Sequence, residues 1–349
     1  MSDDNSPADM PKAKPESKFK NIVKQLIMAV FAIGLLYLSF RGCDLPTIWA
    51  YTVKTNPIFL ILLCVSGLAS HVARSMRWIL LLKPLSDHKI SLWNSFVAVI
   101  TGYAVNVAIP RGGEVVRLLS ITRSENLPWA GVLSTMLIDR LLDIALLVFL
   151  LGSTLLVLPK SLLGDMPWLV PGGVAMTVAT IIGMFVLPHV AKIMRWFLQL
   201  SLIQTKLPAS LVKKLEDLSD QFGVGTKSLT DPVAYPAIAL LSVTIWFFYW
   251  LNLYLTVLAF NLQDKVTLAN SLIVFTISSV GVLVPTPGSV GSYHFLTSQA
   301  LVLTSGVNKE QALAFASVLH LFCFILVTCI PAFICVMIQS SKKTNKVTS

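Results

Sequence analysis

AIPRGGEVVRLL, residues 108–119, interrupts one of the apolar segments of this 349-residue chain. Pro110, two glycines and three charged side chains follow directly on the apolar segment 92–109. Proline and glycine break helices, and charged side chains are costly inside a bilayer. The stretch therefore marks either the tip of a hairpin that turns back or a loop between two complete spans.

The composition is that of a membrane protein. Hydrophobic residues make up 55% of the chain and charged residues 13%, and the mean hydropathy is +0.76. At about 20 residues per span, the length accommodates roughly six to nine helices, and no long stretch of soluble composition remains for a separate catalytic domain. The sequence therefore predicts an all-α polytopic membrane protein.

Basic residues indicate which regions face the cytoplasm. They precede the first apolar segment, crowd residues 189–231 and end the chain. By the positive-inside rule these three regions are cytoplasmic, and with them both termini. The linkers 41–56, 159–168, 261–266 and 305–310 carry few basic residues and are assigned to the outer side. The net charge of +10 thus reflects topology, and no nucleic-acid partner is expected.

Threading the chain between these regions requires two hairpins. Complete spans fit residues 22–40, 57–82, 128–158, 169–188, 236–260 and 311–339. Residues 92–123 enter from the cytoplasm and return at PRGG, because a full crossing would move the most basic loop outside. Residues 267–304 form a second hairpin, which is entered from outside and turns at PTPGS. We expect about six transmembrane helices and two opposed re-entrant hairpins in an inverted repeat.

The predicted halves, 22–158 and 169–339, belong to one membrane domain, 22–340, and are joined across 159–168. Residues 1–21 have almost nothing to bury and are predicted to be a disordered cytoplasmic tail, and 341–349 form a second tail. Inverted repeats with helices broken by proline and glycine are typical of transporters, whose breaks face each other near the substrate site.

Charged residues follow the first break. Arg111, Glu114 and Arg117 come after it, and Gly112 and Gly113 permit close backbone approach at the N-terminus of a new helix, where free N–H groups favour an anion. Glu114 and Arg117 are three residues apart, so on a helix they share a face and can pair. The set predicts a phosphate-sized ligand. The alternative is an interfacial helix whose arginines contact lipid phosphates without specificity.

Asp139, Arg140 and Asp143 lie inside a predicted span. Charges in a bilayer are costly unless they are paired, so these residues are candidates for function. They either contact the ligand or form an internal clamp, for instance Asp143 holding Arg117 or Arg111. In both cases they are expected to face the interior of the helix bundle.

Two histidines and two further arginines complete the candidates. His294, one turn beyond the second break, is predicted either to titrate or bind a headgroup or to be a hydrogen-bonded core residue, and the same holds for His320. Arg74 and Arg77, together with Trp78, are predicted to form an interfacial anchor, with snorkelling as the alternative. No enzyme motif, cofactor fingerprint or metal-ligand spacing is present, so no enzymatic activity, cofactor or metal is expected.

The chain resembles a known family through motifs that occur in a fixed order. They are ARSMRW at 73–78, Asn106 with PRGGEVVR at 110–117, DRLLD at 139–143, and PTPGSVG at 285–291. Together they are similar to the flippase-like membrane family called the lysylphosphatidylglycerol synthase transmembrane region. The resemblance implies that a polar-headgroup lipid is moved across a bacterial inner membrane. It does not imply synthesis, because no aminoacyl-transferase domain like that of some relatives follows.

The expected ligand-binding residues line the two breaks and the charged span. They are Asn106, Pro110, Arg111, Gly112, Gly113, Glu114, Arg117, Asp139, Arg140, Asp143, Pro285, Pro287, Gly288, Ser289, Gly291, His294 and His320. Ser289, His294 and His320 depart from the family pattern of Pro-Gly-Gly, an acidic residue and a nearby basic residue. The headgroup therefore stays open. Membrane lipids are the expected partners, and a homo-oligomer or an envelope-enzyme partner also stays open.

Other functions stay open on the sequence alone. PGSVG is loosely similar to the Pro-Gly-Ser loop of bacterial polyprenyl-diphosphate phosphatases, which also combine inverted repeats with hairpins. This similarity allows a membrane-embedded phosphatase or transferase. That loop works with a neighbouring arginine and a pair of glutamates, whereas Glu114 and the two aspartates are the acidic residues near the breaks here. A non-transporting partner of an envelope enzyme is the other alternative.

Overall fold

The structure, a computed structural model, describes residues 18–109, 112–157, 169–200 and 208–347, and these ranges contain helices and no strand. The α-helices are α1 Lys18–Phe40, α2 Leu45–Val53, α3 Pro57–Leu82, α4 Leu92–Ala108, α5 Gly112–Ser124, α6 Trp129–Val157, α7 Leu169–Val186, α8 Val190–Leu198, α9 Ala209–Thr226, α10 Ala234–Ala259, α11 Leu268–Leu283, α12 Ser292–Ser305, α13 Lys309–His320 and α14 Val327–Val347. The all-helical prediction is confirmed for this part of the chain.

Several helical segments of the described chain are long and apolar enough to cross a membrane. They are Pro57–Leu85, Val170–Leu198, Ala234–Ala259 and Lys309–Gln339. The helices α1 and α2 make a fifth only as a pair, which bends by 85°. A multi-pass membrane protein is therefore confirmed, whereas the predicted count of six spans and the re-entrant character of the hairpins are not.

Some predicted boundaries differ from those observed. Residues 18–21 of the predicted tail belong to α1, and α14 continues through 341–347 of the other tail. The linker 41–56 contains α2, which begins where the Asp44 carboxylate accepts a hydrogen bond from the Thr47 amide at 3.1 Å. The basic segment contains α8 and α9. Residues 1–17 and the predicted joint 159–168 lie outside the described residues.

The helices α4 and α5 pack against each other as an antiparallel hairpin around two glycines. A Cβ atom on Gly113 would lie 1.8 Å from the Gly102 carbonyl oxygen, so the two backbones are in direct contact. Asn106 Oδ1 accepts a hydrogen bond from the Gly113 amide at 2.9 Å and fixes the start of α5. The tip itself, Pro110 and Arg111, lies outside the described residues.

This backbone contact gives a first testable expectation. Gly113→Ala places a methyl group against the Gly102 carbonyl and is expected to lower the free energy of unfolding by about 3 kcal/mol, because the backbones must separate. Titration with SDS, followed by tryptophan fluorescence, measures the change. Gly183→Ala in α7 is the matched control, since nothing lies within 4 Å of that position. Equal effects of the two substitutions would contradict the close approach.

The second hairpin is formed by α11 and α12. Thr297 Oγ1 donates a hydrogen bond to Ser278 Oγ at 2.8 Å and joins the two helices. Between them the backbone turns through Gly288, Ser289 and Gly291, whose φ angles are +57°, +58° and +86°. The predicted break is therefore a left-handed turn, a conformation that glycine adopts readily and serine rarely.

The two hairpins meet inside the bundle. A Cβ atom on Gly288 would lie 3.3 Å from the Val107 carbonyl oxygen at the end of α4, so the second break touches the first hairpin. Each hairpin also packs on the last long helix of the other half of the chain. The helix α4 contacts α14, and α11 contacts α6, where Thr154 Oγ1 and Thr276 Oγ1 are 3.0 Å apart.

Candidate functional site

Charged residues of α3, α5 and α6 converge in the interior. The fully buried Asp139 accepts hydrogen bonds from Arg77 at 2.7 Å, from Arg117 at 3.0 Å and from Arg74 at 3.4 Å. Asp143 accepts from Arg74 at 2.7 Å and from Arg77 at 2.8 Å. We call these five residues the arginine–aspartate cluster. Three guanidinium groups face two carboxylates, so the cluster carries a surplus positive charge.

Arg74 and Arg77 are not interfacial anchors, and that interpretation is wrong. They are 2% and 0% exposed, because the aspartates of α6 and the polar groups of α10 draw them into the bundle. Arg74 Nε and Nη2 donate to Tyr249 Oη at 3.2 and 3.0 Å. Arg77 Nη1 donates to Ser242 Oγ at 3.0 Å. Both guanidinium groups are thus enclosed by neighbouring helices and are not exposed at the surface of the bundle.

Arg117 lies at the edge of the cluster and keeps free hydrogen-bond donors. Its guanidinium stacks on the Trp78 ring, 3.8 Å from the centroid, and the Trp78 indole N–H donates to Thr135 Oγ1 at 3.2 Å. The buried Arg117 Nε and Nη2 have no hydrogen-bond partner, although Nη1 binds Asp139. An unpaired buried donor costs about 1–3 kcal/mol, so these N–H groups indicate a place for an acceptor.

The charged residues Glu114 and Arg117 of α5 form ion pairs with other partners than those considered from the sequence. Glu114 pairs with Arg140 of α6 and not with Arg117, and the predicted clamp of Asp143 on Arg117 is formed by Asp139 instead. The reason is that α6 presents a carboxylate and a guanidinium from the adjacent positions Asp139 and Arg140. Glu114 and Arg117 of α5 therefore each find a partner of opposite charge on α6. The Glu114–Arg140 pair is partly exposed.

A small pocket lies between α4, α5 and α6 beside Arg117. Its lining residues are Val99, Gly102, Tyr103, Asn106, Gly113, Glu114, Arg117 and Arg140. Several of the residues predicted at the first break therefore come together here. Arginine N–H groups beside an amide and a phenol suit one anionic oxygen atom, such as an oxygen of a phosphate, since charge-assisted hydrogen bonds are the stronger ones. The Glu114 carboxylate in the same lining is paired with Arg140.

The first two amides of α5 are not free, contrary to the expectation from the sequence. The Gly112 amide donates to the Ile109 carbonyl at 3.0 Å, and the Gly113 amide donates to Asn106 Oδ1. The prediction is wrong for these two groups because Asn106 reaches across the break and caps the helix. Among the described side chains, Arg117 Nε and Nη2 remain without a hydrogen-bond partner here. Arg111 lies outside the described residues.

His294 and His320 lie at the second break. Their ring centroids are 4.7 Å apart, and His320 Nε2 donates to the Gly288 carbonyl oxygen at 2.7 Å. His294 Nδ1 is buried and has no hydrogen-bond partner. Among the described residues, no hydrogen bond or ion pair connects either histidine to the arginine–aspartate cluster. Pro287 starts the turn that places Gly288 and Ser289, whereas Pro285 is exposed.

The sequence reasoning missed the residues that orient the arginines. Trp78 was assigned to the interfacial anchor, but it is fully buried and stacks on Arg117, a contact that depends on the approach of α5. Ser242 and Tyr249 are seven residues apart on the apolar helix α10, a spacing of about two helical turns. Two polar residues on one face of an otherwise apolar helix could have indicated that α10 packs against the arginines of α3.

Comparison with known proteins agrees with the motifs. Residues 25–330 match the family described as Lysylphosphatidylglycerol synthase TM region. A UPF0104 membrane protein of Methanocaldococcus jannaschii is 28% identical over 127 residues, which are 36% of this chain and 37% of the relative. The chain thus aligns with little more than a third of that curated relative. Because the family match extends over most of its length, the chain belongs to the Lysylphosphatidylglycerol synthase TM region family.

Proposed function

We propose that this protein moves a lipid with a phosphate-bearing headgroup between the leaflets of a bacterial inner membrane. The observation that carries the proposal is Arg117, whose buried guanidinium has two free N–H groups beside a pocket. A phosphate oxygen in that pocket would satisfy donors that the protein leaves unpaired. Acyl or prenyl chains would stay in the bilayer beside the bundle.

The charge of the cluster supports an anionic ligand. Asp139 and Asp143 neutralise two of the three arginines, so one positive charge is left in a region shielded from water. An uncompensated buried charge is strongly unfavourable unless a partner arrives. A lipid phosphate supplies that partner. The lipid is released again when the protein opens towards the opposite leaflet.

The dimensions of the helices support two re-entrant hairpins. The helices α4, α5, α11 and α12 contain 17, 13, 16 and 14 residues. At 1.5 Å per residue they are about 20 to 26 Å long, which is short of the roughly 30 Å of a hydrocarbon core. With α6 as the sixth span, the segments then alternate as an inverted repeat with both termini cytoplasmic. The reciprocal packing of α4 on α14 and α11 on α6 is the pattern such a repeat produces.

Lipid exchange in proteoliposomes tests the proposal. The purified protein is reconstituted with a trace of fluorescent phosphatidylglycerol or fluorescent polyprenyl phosphate, and dithionite is added outside. Exchange makes nearly all probe accessible to the reductant, whereas vesicles with heat-denatured protein should protect the inner-leaflet fraction. Protection of every phosphate lipid tested would overturn the proposal. Phosphate release from a polyprenyl diphosphate without exchange would favour the membrane-embedded phosphatase.

A further inference from the structure

The helices α3 and α10 pack along each other and present polar side chains to their common interface. On α3, Ser66, Ser70, Arg74 and Arg77 follow each other at intervals of four, four and three residues, which places them on one helix face. On α10, Ser242, Tyr249, Asn252 and Thr256 follow each other at intervals of seven, three and four residues, which likewise places them on one helix face. With the exception of the partly buried Tyr249, these residues are buried.

The observed hydrogen bonds fix the register of the two helices. Arg77 pairs with Ser242, and Arg74, three residues earlier, pairs with Tyr249, seven residues later. The helices are therefore antiparallel. The next turns of α3, towards Ser66, lie opposite the following turns of α10, towards Thr256. We call the following five residues the polar seam: Ser66, Ser70, Asn252 and Thr256 of this interface, together with His71, which follows Ser70 on α3 and whose ring lies 5.6 Å from the Tyr103 ring of α4.

The polar seam contains hydrogen-bonding atoms that the protein does not use. Ser66 Oγ, His71 Nδ1 and Asn252 Oδ1 are buried without a partner. By contrast, Ser70 Oγ donates to the Gly67 carbonyl and Thr256 Oγ1 to the Asn252 carbonyl, as hydroxyl groups in apolar helices commonly do. Unpaired polar atoms are costly at a bilayer interior and are retained where they serve a passage or a ligand.

Tyr103 connects the polar seam to the Arg117 pocket. It lines that pocket, and its ring lies 5.6 Å from the His71 ring and 5.7 Å from the Arg74 guanidinium. A ligand whose phosphate occupies the pocket therefore has the seam as its neighbouring polar surface. The seam offers a hydroxyl, an imidazole and an amide oxygen, and its five residues include no carboxylate to receive an ammonium group.

We propose that the polar seam binds the uncharged, hydroxyl-bearing part of the lipid headgroup, a glycerol or a sugar, while the phosphate lies at Arg117. The proposal rests on the lipid-transport function above and adds the class of headgroup. It also gives the seam the role of a hydrated route that leads from the arginine–aspartate cluster along α3.

Cysteine accessibility tests the seam independently of transport. The native cysteines are first replaced, and Ser66→Cys and Asn252→Cys are then introduced separately. Val65→Cys on α3 and Val243→Cys on α10 are the matched controls, since these valines are 59% and 57% exposed on the outer faces of the same helices. A charged, water-soluble methanethiosulfonate should label the seam thiols at least about tenfold faster than the lipid-facing ones, because water reaches only the seam.

Protection by a soluble headgroup identifies the ligand class. Glycerol 1-phosphate should slow labelling at both seam positions about fivefold or more, the effect of roughly one hydrogen bond, and inorganic phosphate should not. Seam thiols that react as slowly as the lipid-facing controls would overturn the proposal. Equal protection by inorganic phosphate would also overturn it. Labelling and protection without lipid exchange in vesicles would instead contradict the transport function.

Discussion

Asp139→Asn is expected to destabilise the protein by about 3 to 5 kcal/mol. Asp139 accepts hydrogen bonds from three arginines, so its neutralisation leaves three guanidinium groups facing Asp143 alone. The remaining charges stay out of water but lose their counter-charge, which is the costly way to break a buried ion network. SDS titration monitored by tryptophan fluorescence gives the change in the free energy of unfolding.

Two further variants locate the origin of that loss. Glu114→Gln breaks the partly exposed pair with Arg140 and should cost less than about 1 kcal/mol, because water screens that pair. Arg117→Gln combined with Asp139→Asn leaves two arginines facing Asp143, which restores the single surplus charge of the unmodified cluster, and should recover part of the stability, so that the two effects are not additive. If the Asp139→Asn protein were as stable as the unmodified one, Asp139 would not be the counter-charge that holds the three buried arginines.

Arg117→Gln alone is expected to slow lipid exchange about ten- to a hundredfold, the effect of losing charge-assisted hydrogen bonds to a phosphate. The fold should persist, because two arginines then face two aspartates and the cluster is neutral. The dithionite assay in proteoliposomes measures the rate. Gel filtration and the SDS titration verify that the variant is folded.

Arg117→Lys separates the charge from the shape of the donor group. Lysine keeps the positive charge near Asp139 but lacks the forked donors that Arg117 Nε and Nη2 provide, so exchange should remain well below that of the unmodified protein. Arg195→Gln is the control, since Arg195 is exposed and 3.8 Å from Asp220. If the Arg117→Gln protein exchanged lipid at the rate of the unmodified protein, the lipid phosphate would not bind at Arg117.

The long apolar segments were predictable, and short or amphipathic helices were not. The predicted span 57–82 coincides with α3, and 92–109 differs from α4 by one residue, because Asn56 and Ser91 cap these helices through their side chains. The helices α2, α8 and α9 were not predicted as helices. Their stability comes from packing on neighbouring helices, as where Ser219 bonds the Ala191 carbonyl, and a linear pattern does not contain that information.

The site was predictable in its residue types but not in its pairs. Asp139 and Asp143 stood out because charge inside an apolar segment is rare. Arg74 and Arg77 were misplaced because they precede the basic end of α3, where snorkelling is the common outcome. Their carboxylate partners lie more than sixty positions later in the chain, on α6. Only the packing of α3 on α6 shows that these groups neutralise one another.

The contact between Gly288 and the Val107 carbonyl joins the second break directly to the first hairpin. Val107 belongs to α4, the helix that also carries Tyr103 and Asn106 of the pocket, and His320 holds the carbonyl of Gly288. A ligand that shifts α4 changes the energy of the second break. By reciprocity, any state of that break that favours one position of α4 changes the affinity of the pocket by the same factor. To the extent that α4 and the second break move together, ligand binding in the pocket and the conformation of the second break each change the free energy of the other.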